Sequence, residues 1–403
     1  MIRIRRRSAV LRALSVGVGI ALVGGCGSAA GSGSDSNSGP IVIGHTAGMT
    51  GFMSVFDVPV EQGMAMAVKD INAAGGVLGR QLELITTNNE SDPTKIQSAA
   101  QEAIEKGAQF VVPACDYDIG GPAARTANDQ GIIAIGCAGG PLFGYEGTGP
   151  MTYNLHQASP GEGATMAQWA FAAGYRKPFV INDRGLEYSQ VAGEYFTKKW
   201  QAMGGQIAGE TTYQNGDQSA ASQIADIQRS GADLVVIASY PPGGATLIRQ
   251  IRAAGIGLPM VGTQAFDGTY WLDAVPDLSD FFVPVTASLH GDDPVAARNE
   301  FFRRIEQETG SPAASAFYPL TGYSSVQALA RAIERAGTTD SAAVSAELDR
   351  FTDEDLLMGP TTYTATCHIP SLRPQLIVEY TAGKPAVVQR DLALTEVPGG
   401  APC

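Results

Sequence analysis

Residues 59–85 read Pro59-Val-Glu-Gln-Gly-Met-Ala-Met-Ala-Val-Lys-Asp-Ile-Asn-Ala-Ala-Gly-Gly-Val-Leu-Gly-Arg-Gln-Leu-Glu-Leu-Ile. Val60, Met64, Ala67, Val68 and Ile71 recur at the spacing of one helix face, Pro59 suits a first turn, and Gly75-Gly76 supplies the stop. Gln81 to Ile85 then reads as a strand. Outward from this helix and strand the alternation continues. Before it stands the strand Ile41 to Gly44; after it, Asp92-Pro93 caps a helix running to about Lys106, followed by the strand Phe110 to Pro113. A helix near 120–130 and the strand Gly131 to Ile135 complete the first series.

A second series has helices at 160–173, 188–203, 219–230 and 243–254, with strands at 178–182, 206–212, 233–238 and 258–262. A short helix near 268–275 and the strand Phe281 to Val285 close it. Strand and helix by turns imply parallel sheets covered on both faces, so the spacing predicts an α/β fold with two doubly wound sheets, one in each half. Helices at 294–309, 319–336 and 341–351 follow, and the remainder, including Gln375 to Tyr380, reads as strands with long turns.

The chain has 403 residues, 44% hydrophobic and 17% charged, enough apolar material for a substantial core. Its first 25 residues hold Arg3, Arg5, Arg6, Arg7 and Arg12 and no acid, then an apolar run from Ala13 to Val23 and Gly24-Gly25-Cys26. That pattern predicts a secretion signal too short to span a bilayer permanently, and the small residues before Cys26 look like a lipobox, making Cys26 the lipidated N-terminus. Loss of residues 1–25 would move the formal charge from −13 to about −18, a surface that repels nucleic acid and anionic headgroups. Residues 26–39, rich in Gly and Ser, have nothing to bury and read as a flexible tether.

Cys115, Cys137, Cys367 and Cys403 remain. An even count in an exported chain suggests two disulfides, with three connectivities open. No CxxC or clustered His accompanies them, and His45, His156, His290 and His368 are scattered, so no metal is expected. No cofactor is expected either. GxSxG, HExxH and a P-loop are all missing, which argues against an enzyme.

Ile43 to Gly51, Ala67 to Arg80 and Asn89-Glu-Ser-Asp-Pro93 together resemble the branched-chain amino acid type of periplasmic binding protein, the type I solute receptors of ABC importers. The likeness runs over about residues 40–385. It implies two α/β lobes joined by three crossovers, one lobe from 40–157 and 288–364, the other from 158–287 and 365–403. It also implies a small organic solute held in the interlobe cleft, hinge closure, and delivery to a membrane permease by a monomer tied to the membrane only through its lipid. A receptor that docks on a membrane signalling partner is the alternative.

The resemblance places ligand contacts at Phe56 in the loop after the first strand, at Cys115-Asp116-Tyr117-Asp118, and at Cys137-Ala138-Gly139-Gly140. In the other lobe it places them at Tyr188, Tyr240 and Gln264. Cys115 and Cys137 lie just past the ends of strands that should be neighbours, about 5 Å apart, so a Cys115–Cys137 bridge is expected, leaving Cys367 for Cys403. Two departures bear on the ligand. Gln264 is neutral where amino acid receptors carry a glutamate for the ligand ammonium. Asp116 and Asp118 stand where such receptors offer hydroxyls, and an ionised Asp about 4 Å from a ligand carboxylate opposes it by roughly 4 kcal/mol at an effective dielectric near 20. A cationic or neutral polar ligand, an amide, a urea-like compound, an amine or a hydroxylated aromatic, is therefore expected if those acids face the cleft; if both face outward, the backbone amides of residues 138–140 could still hold a carboxylate.

Overall fold

The computed structural model describes residues 39–140 and 142–399. The leader at 1–25, Cys26, nearly all of the tether and Cys403 lie outside the described residues. In chain order the first series is β1 (Ile41–Ala47), α1 (Ser54–Ala73), β2 (Leu82–Asn88), α2 (Ile96–Glu105), β3 (Phe110–Pro113), α3 (Tyr117–Asp129), β4 (Ile133–Gly136), the single turn α4 (Tyr145–Thr148) and β5 (Thr152–Asn154). Its strands form one parallel sheet in the order β2-β1-β3-β4-β5.

The second series is α5 (Ala158–Ala172), β6 (Pro178–Asp183), α6 (Glu187–Ala202), β7 (Gly209–Tyr213), α7 (Ala221–Ser230), β8 (Leu234–Ala238), α8 (Gly243–Ala253), β9 (Met260–Gly262) and β10 (Phe281–Val285). After α9 (Ala296–Thr309), α10 (Phe317–Ala336), α11 (Ser341–Leu348) and the small hairpin β11 (Glu354–Leu356) and β12 (Gly359–Thr361), the chain ends in β13 (Gln375–Thr381) and β14 (Lys384–Leu392). The second sheet runs β14-β13-β10-β9-β8-β6-β7, parallel from β10 to β7 and antiparallel at β13 and β14. Because α10 packs on α1, the chain crosses between the two bodies three times, after β5, after β10 and before β13.

The central strands β3, β4 and β8 are buried at every residue, as expected of parallel strands covered on both faces. The α1–α10 contact is backbone to backbone. A Cβ on Gly63 would lie 1.9 Å from the Pro319 carbonyl oxygen, and one on Gly322 would lie 1.9 Å from that of Val60. Only glycine at both places lets the helices approach so closely.

Three local readings need correction. Helix α1 begins at Ser54, so Pro59 sits inside it; burial of Phe56, Asp57 and Val60 holds the added turn despite the missing N–H. Helix α2 starts at Ile96, because Asp92 spends its carboxylate on a tight turn, accepting from the Thr94 amide at 2.8 Å. The helix expected at 268–275 is instead two single 3-10 turns, Gln264–Phe266 and Leu272–Ala274. Gly268 breaks them apart with φ +89°, and a Cβ there would meet the Ala314 carbonyl oxygen at 1.7 Å. Phe266 and Trp271 instead pack edge-on into an aromatic cluster with Phe281 and Tyr380.

Candidate functional site

Strand ends of both sheets converge on one cavity of about 450 Å³ of atom-free space including its mouth. From the first body come Met53 and Phe56, Cys115 and Asp116 after β3, Cys137 and Gly139 after β4, and His156 after β5. Leu186 and Tyr188 at the start of α6, Tyr240 after β8, and Gln264 and Ala265 after β9 face them. Phe317 and Tyr318, the first residues of α10, complete the wall. Ligands in open parallel sheets bind beyond the carboxyl ends of the strands, and this cavity occupies that place in both sheets.

Of the residues singled out from sequence, Phe56, Asp116, Gly139, Tyr188, Tyr240 and Gln264 line this cavity. Tyr117, Asp118, Ala138 and Gly140 are not in its lining. Ala138 is fully buried with Val111, Ala124 and Phe143 beneath the sheet. Asp118 is exposed, and its Oδ2 accepts from the Glu187 amide at 3.1 Å, bridging α3 to the first turn of α6. Tyr117 packs over Gly140, where a Cβ would lie 2.4 Å from its own Cβ.

Cys115 and Cys137 are joined by a disulfide across a Cα–Cα distance of 4.8 Å, as the adjacency of β3 and β4 predicts. Cys367 is also disulfide-bonded, and its expected partner Cys403 lies outside the described residues. The Cys115–Cys137 bridge spans 22 residues and ties two walls of the cavity together. Replacing both cysteines by serine should lower stability by about 3 kcal/mol for a loop of this length. The urea midpoint reads this, and an unchanged midpoint would show that the bridge contributes nothing.

Asp116 is the N-cap of α3, extended at φ −151° and ψ 147°, with Oδ1 accepting from the Ile119 amide at 3.1 Å. Burial, reinforced by the neighbouring Asp118 charge, pushes its carboxyl up to about 7. Sequence reasoning missed a second acid, Asp57. Wholly buried on α1, it accepts from Gly48 N at 2.8 Å and Cys115 N at 2.9 Å, pinning the loop after β1 to the end of β3. Burial raises its carboxyl too, against the pull of His45 and of those two amides.

Glu162 on α5 was missed as well, and it is fully buried behind the cavity. Its Oε1 accepts from the Tyr188 hydroxyl at 2.7 Å and from the Gln264 amide, while His156 Nε2 lies 3.4 Å from Oε2. The Tyr188 hydroxyl is held well above its ordinary range by burial first and the Glu162 charge second. Gln264 Oε1 accepts from Thr286 N and Thr286 Oγ1, both at 3.1 Å, which fixes the orientation of its amide. Its Nε2 is thereby a buried donor with no protein acceptor, and His156 Nδ1 is likewise unpartnered. Asp267 closes the set: its Oδ2 accepts from Ala316 N at 2.7 Å at the start of α10, and burial pushes its carboxyl up to about 7.

Five Phe and Tyr rings and the His156 imidazole thus line a cavity whose lining contains one carboxylate, Asp116, and no lysine or arginine. Phe56 and Tyr318 pack on each other with ring centroids 5.1 Å apart and planes tilted by 48°. The walls can enclose a small apolar body and orient it by a few buried polar groups.

The family model "Periplasmic binding protein" matches residues 40–384. The chain belongs to the periplasmic binding protein family. Its members are extracytoplasmic substrate-binding proteins, not enzymes, and this chain is a solute-binding receptor of the type I fold. The Leu/Ile/Val-binding protein homolog 3 of Brucella melitensis is 24% identical, aligning over 82% of this chain and 89% of its own length. The substrate-binding protein LivJ of Streptococcus pneumoniae, solved with isoleucine, superposes with TM-score 0.75 at 20% identity, covering 87% of this chain and 99% of LivJ. A solute-binding protein from R. palustris, solved with benzoate, superposes with TM-score 0.75 at 19% identity, covering 91% of this chain and 99% of that one.

Proposed function

We propose that this receptor captures a small organic solute in the cavity and delivers it to an ABC permease. The observation that carries this reading is the shared lining: residues after β3, β4 and β5 of one sheet and after β6, β8 and β9 of the other contribute to one cavity. A ligand held by both sheets stabilises their approach, the requirement for hinge closure. The lobes in this proposal are 40–157 with 288–364, and 158–287 with 365–403. Lipidation at Cys26 would anchor the protein, and no described helix is long and apolar enough to cross a membrane.

The test is a thermal-shift and small-angle scattering screen of the purified protein against amino acids, amides, amines and aromatic acids. At a hundredfold excess over the dissociation constant a solute should stabilise the protein by about 2.7 kcal/mol and make it more compact. A library in which no compound changes either the melting temperature or the radius of gyration would sink the proposal.

A further inference from the structure

A carboxylate-bearing ligand needs free backbone amides or a cation at the strand ends. Here the protein's own acids hold those amides. Asp57 takes Gly48 N and Cys115 N at the ends of β1 and β3, and Asp116 takes Ile119 N in the first turn of α3. Asp118 takes Glu187 N in the first turn of α6, Glu162 takes Gln264 N beyond β9, and Asp267 takes Ala316 N at the start of α10. In the stretch Ala138 to Gly140, the remaining place for a ligand carboxylate, Ala138 is buried away from the cavity and the Tyr188 and Tyr117 side chains pack on the two glycines. A Cβ on Gly139 would lie 2.4 Å from Tyr188 Cδ2, and one on Gly140 2.4 Å from Tyr117 Cβ. What the cavity leaves unmatched is Gln264 Nε2, a donor on a side chain only 3% exposed, together with His156 Nδ1, a donor or an acceptor according to its tautomer. A buried donor without a partner is costly, and a ligand acceptor would relieve it.

Resting on the receptor reading above, we infer that the cleft selects a small molecule of zero or positive charge that has an apolar body and a carbonyl-type acceptor, and rejects carboxylates. The rings of Phe56, Phe317 and Tyr318 hold its body, Gln264 Nε2 donates to its acceptor, and Asp116 faces its polar or cationic end. Isoleucine and benzoate, the ligands in two structural relatives, both carry the group that this cavity disfavours.

Two pairs matched in size test the inference: benzamide against benzoate, and leucinamide against leucine. The amide of each pair should bind at least about tenfold more tightly than its acid, measured by calorimetry on the purified protein. In Asp116→Asn, whose amide oxygen still caps α3, the advantage of leucinamide over leucine should shrink several-fold while the unliganded melting curve keeps its single transition. Benzoate or leucine binding as tightly as its amide would overturn the inference and leave the receptor reading standing. So would a wider screen whose tightest ligand is a carboxylate. A screen with no ligand of any charge would overturn the receptor reading and this inference together.

Discussion

Gly63→Ala and Gly322→Ala should each destabilise the protein by about 3 kcal/mol, the upper part of the range for overpacking, although alanine is the better helix former by about 1 kcal/mol. Each new methyl would stand 1.9 Å from a carbonyl oxygen on the facing helix, and backbone cannot rotate aside as a side chain can. The helices must part instead. Helix α1 carries Phe56 and α10 begins with Phe317 and Tyr318, so their separation also opens the aromatic wall of the cavity. Ligand affinity should therefore fall even under conditions where the variants stay folded. Gly257→Ala is the control, since nothing beyond its chain neighbours lies within 4 Å of its added Cβ, and its urea midpoint should not fall. If Gly63→Ala matched the wild type in both midpoint and affinity, the close helix contact would not be what positions the wall.

The glycine pair marks a boundary of what the sequence reveals. The face Val60, Met64, Ala67, Val68 and Ile71 is legible by its period, because periodicity is local and α1 buries a continuous stripe. Gly63 lies between two of those residues, and its role depends on a helix more than 250 residues later, which no local pattern encodes. The two sheets and the Cys115–Cys137 bridge were legible because strand ends in a parallel sheet have a fixed spacing. Asp57 and Glu162 were not. Each reads as an ordinary polar residue on a helix, and only the fold brings it against the amides of Cys115 and Gln264. Asp118 shows the converse: sequence proximity put it with Asp116, but the N-cap and the second residue of α3 point apart, one into the cavity and one to the first turn of α6. The failed helix at 268–275 has a similar cause, since packing of Phe266 and Trp271 on Phe281 outweighs local propensity.

Asp267→Asn should make the protein more stable than the wild type at pH 8, with the advantage shrinking as the pH falls toward 4. Burial holds the Asp267 carboxyl at about 7, against an ordinary value of 3.8, with the amides of Ala316, Phe317 and Gly268 opposing the shift and Tyr270, Tyr318 and Tyr380 nearby. Between those two values the folded protein keeps a proton that the unfolded chain releases. The stability this group contributes is therefore complete below about pH 4 and is lost as the pH rises through 7. A displacement of about three pH units corresponds to roughly 4 kcal/mol for one such group. Asparagine cannot ionise, and its oxygen can still accept from Ala316 N, so the variant escapes the loss. His290 and His368, held below their ordinary values mainly by burial, push the absolute profile the other way below about pH 6.5. The difference between variant and wild type cancels them. Asp116, also held at about 7, is common to both proteins, and it leaves the wild type's own slope in place. Parallel melting profiles for the two proteins between pH 5 and about pH 8 would mean that Asp267 ionises in the fold as freely as in the unfolded chain. The acid at the start of α10 would then be a charged cap and not a buried neutral one.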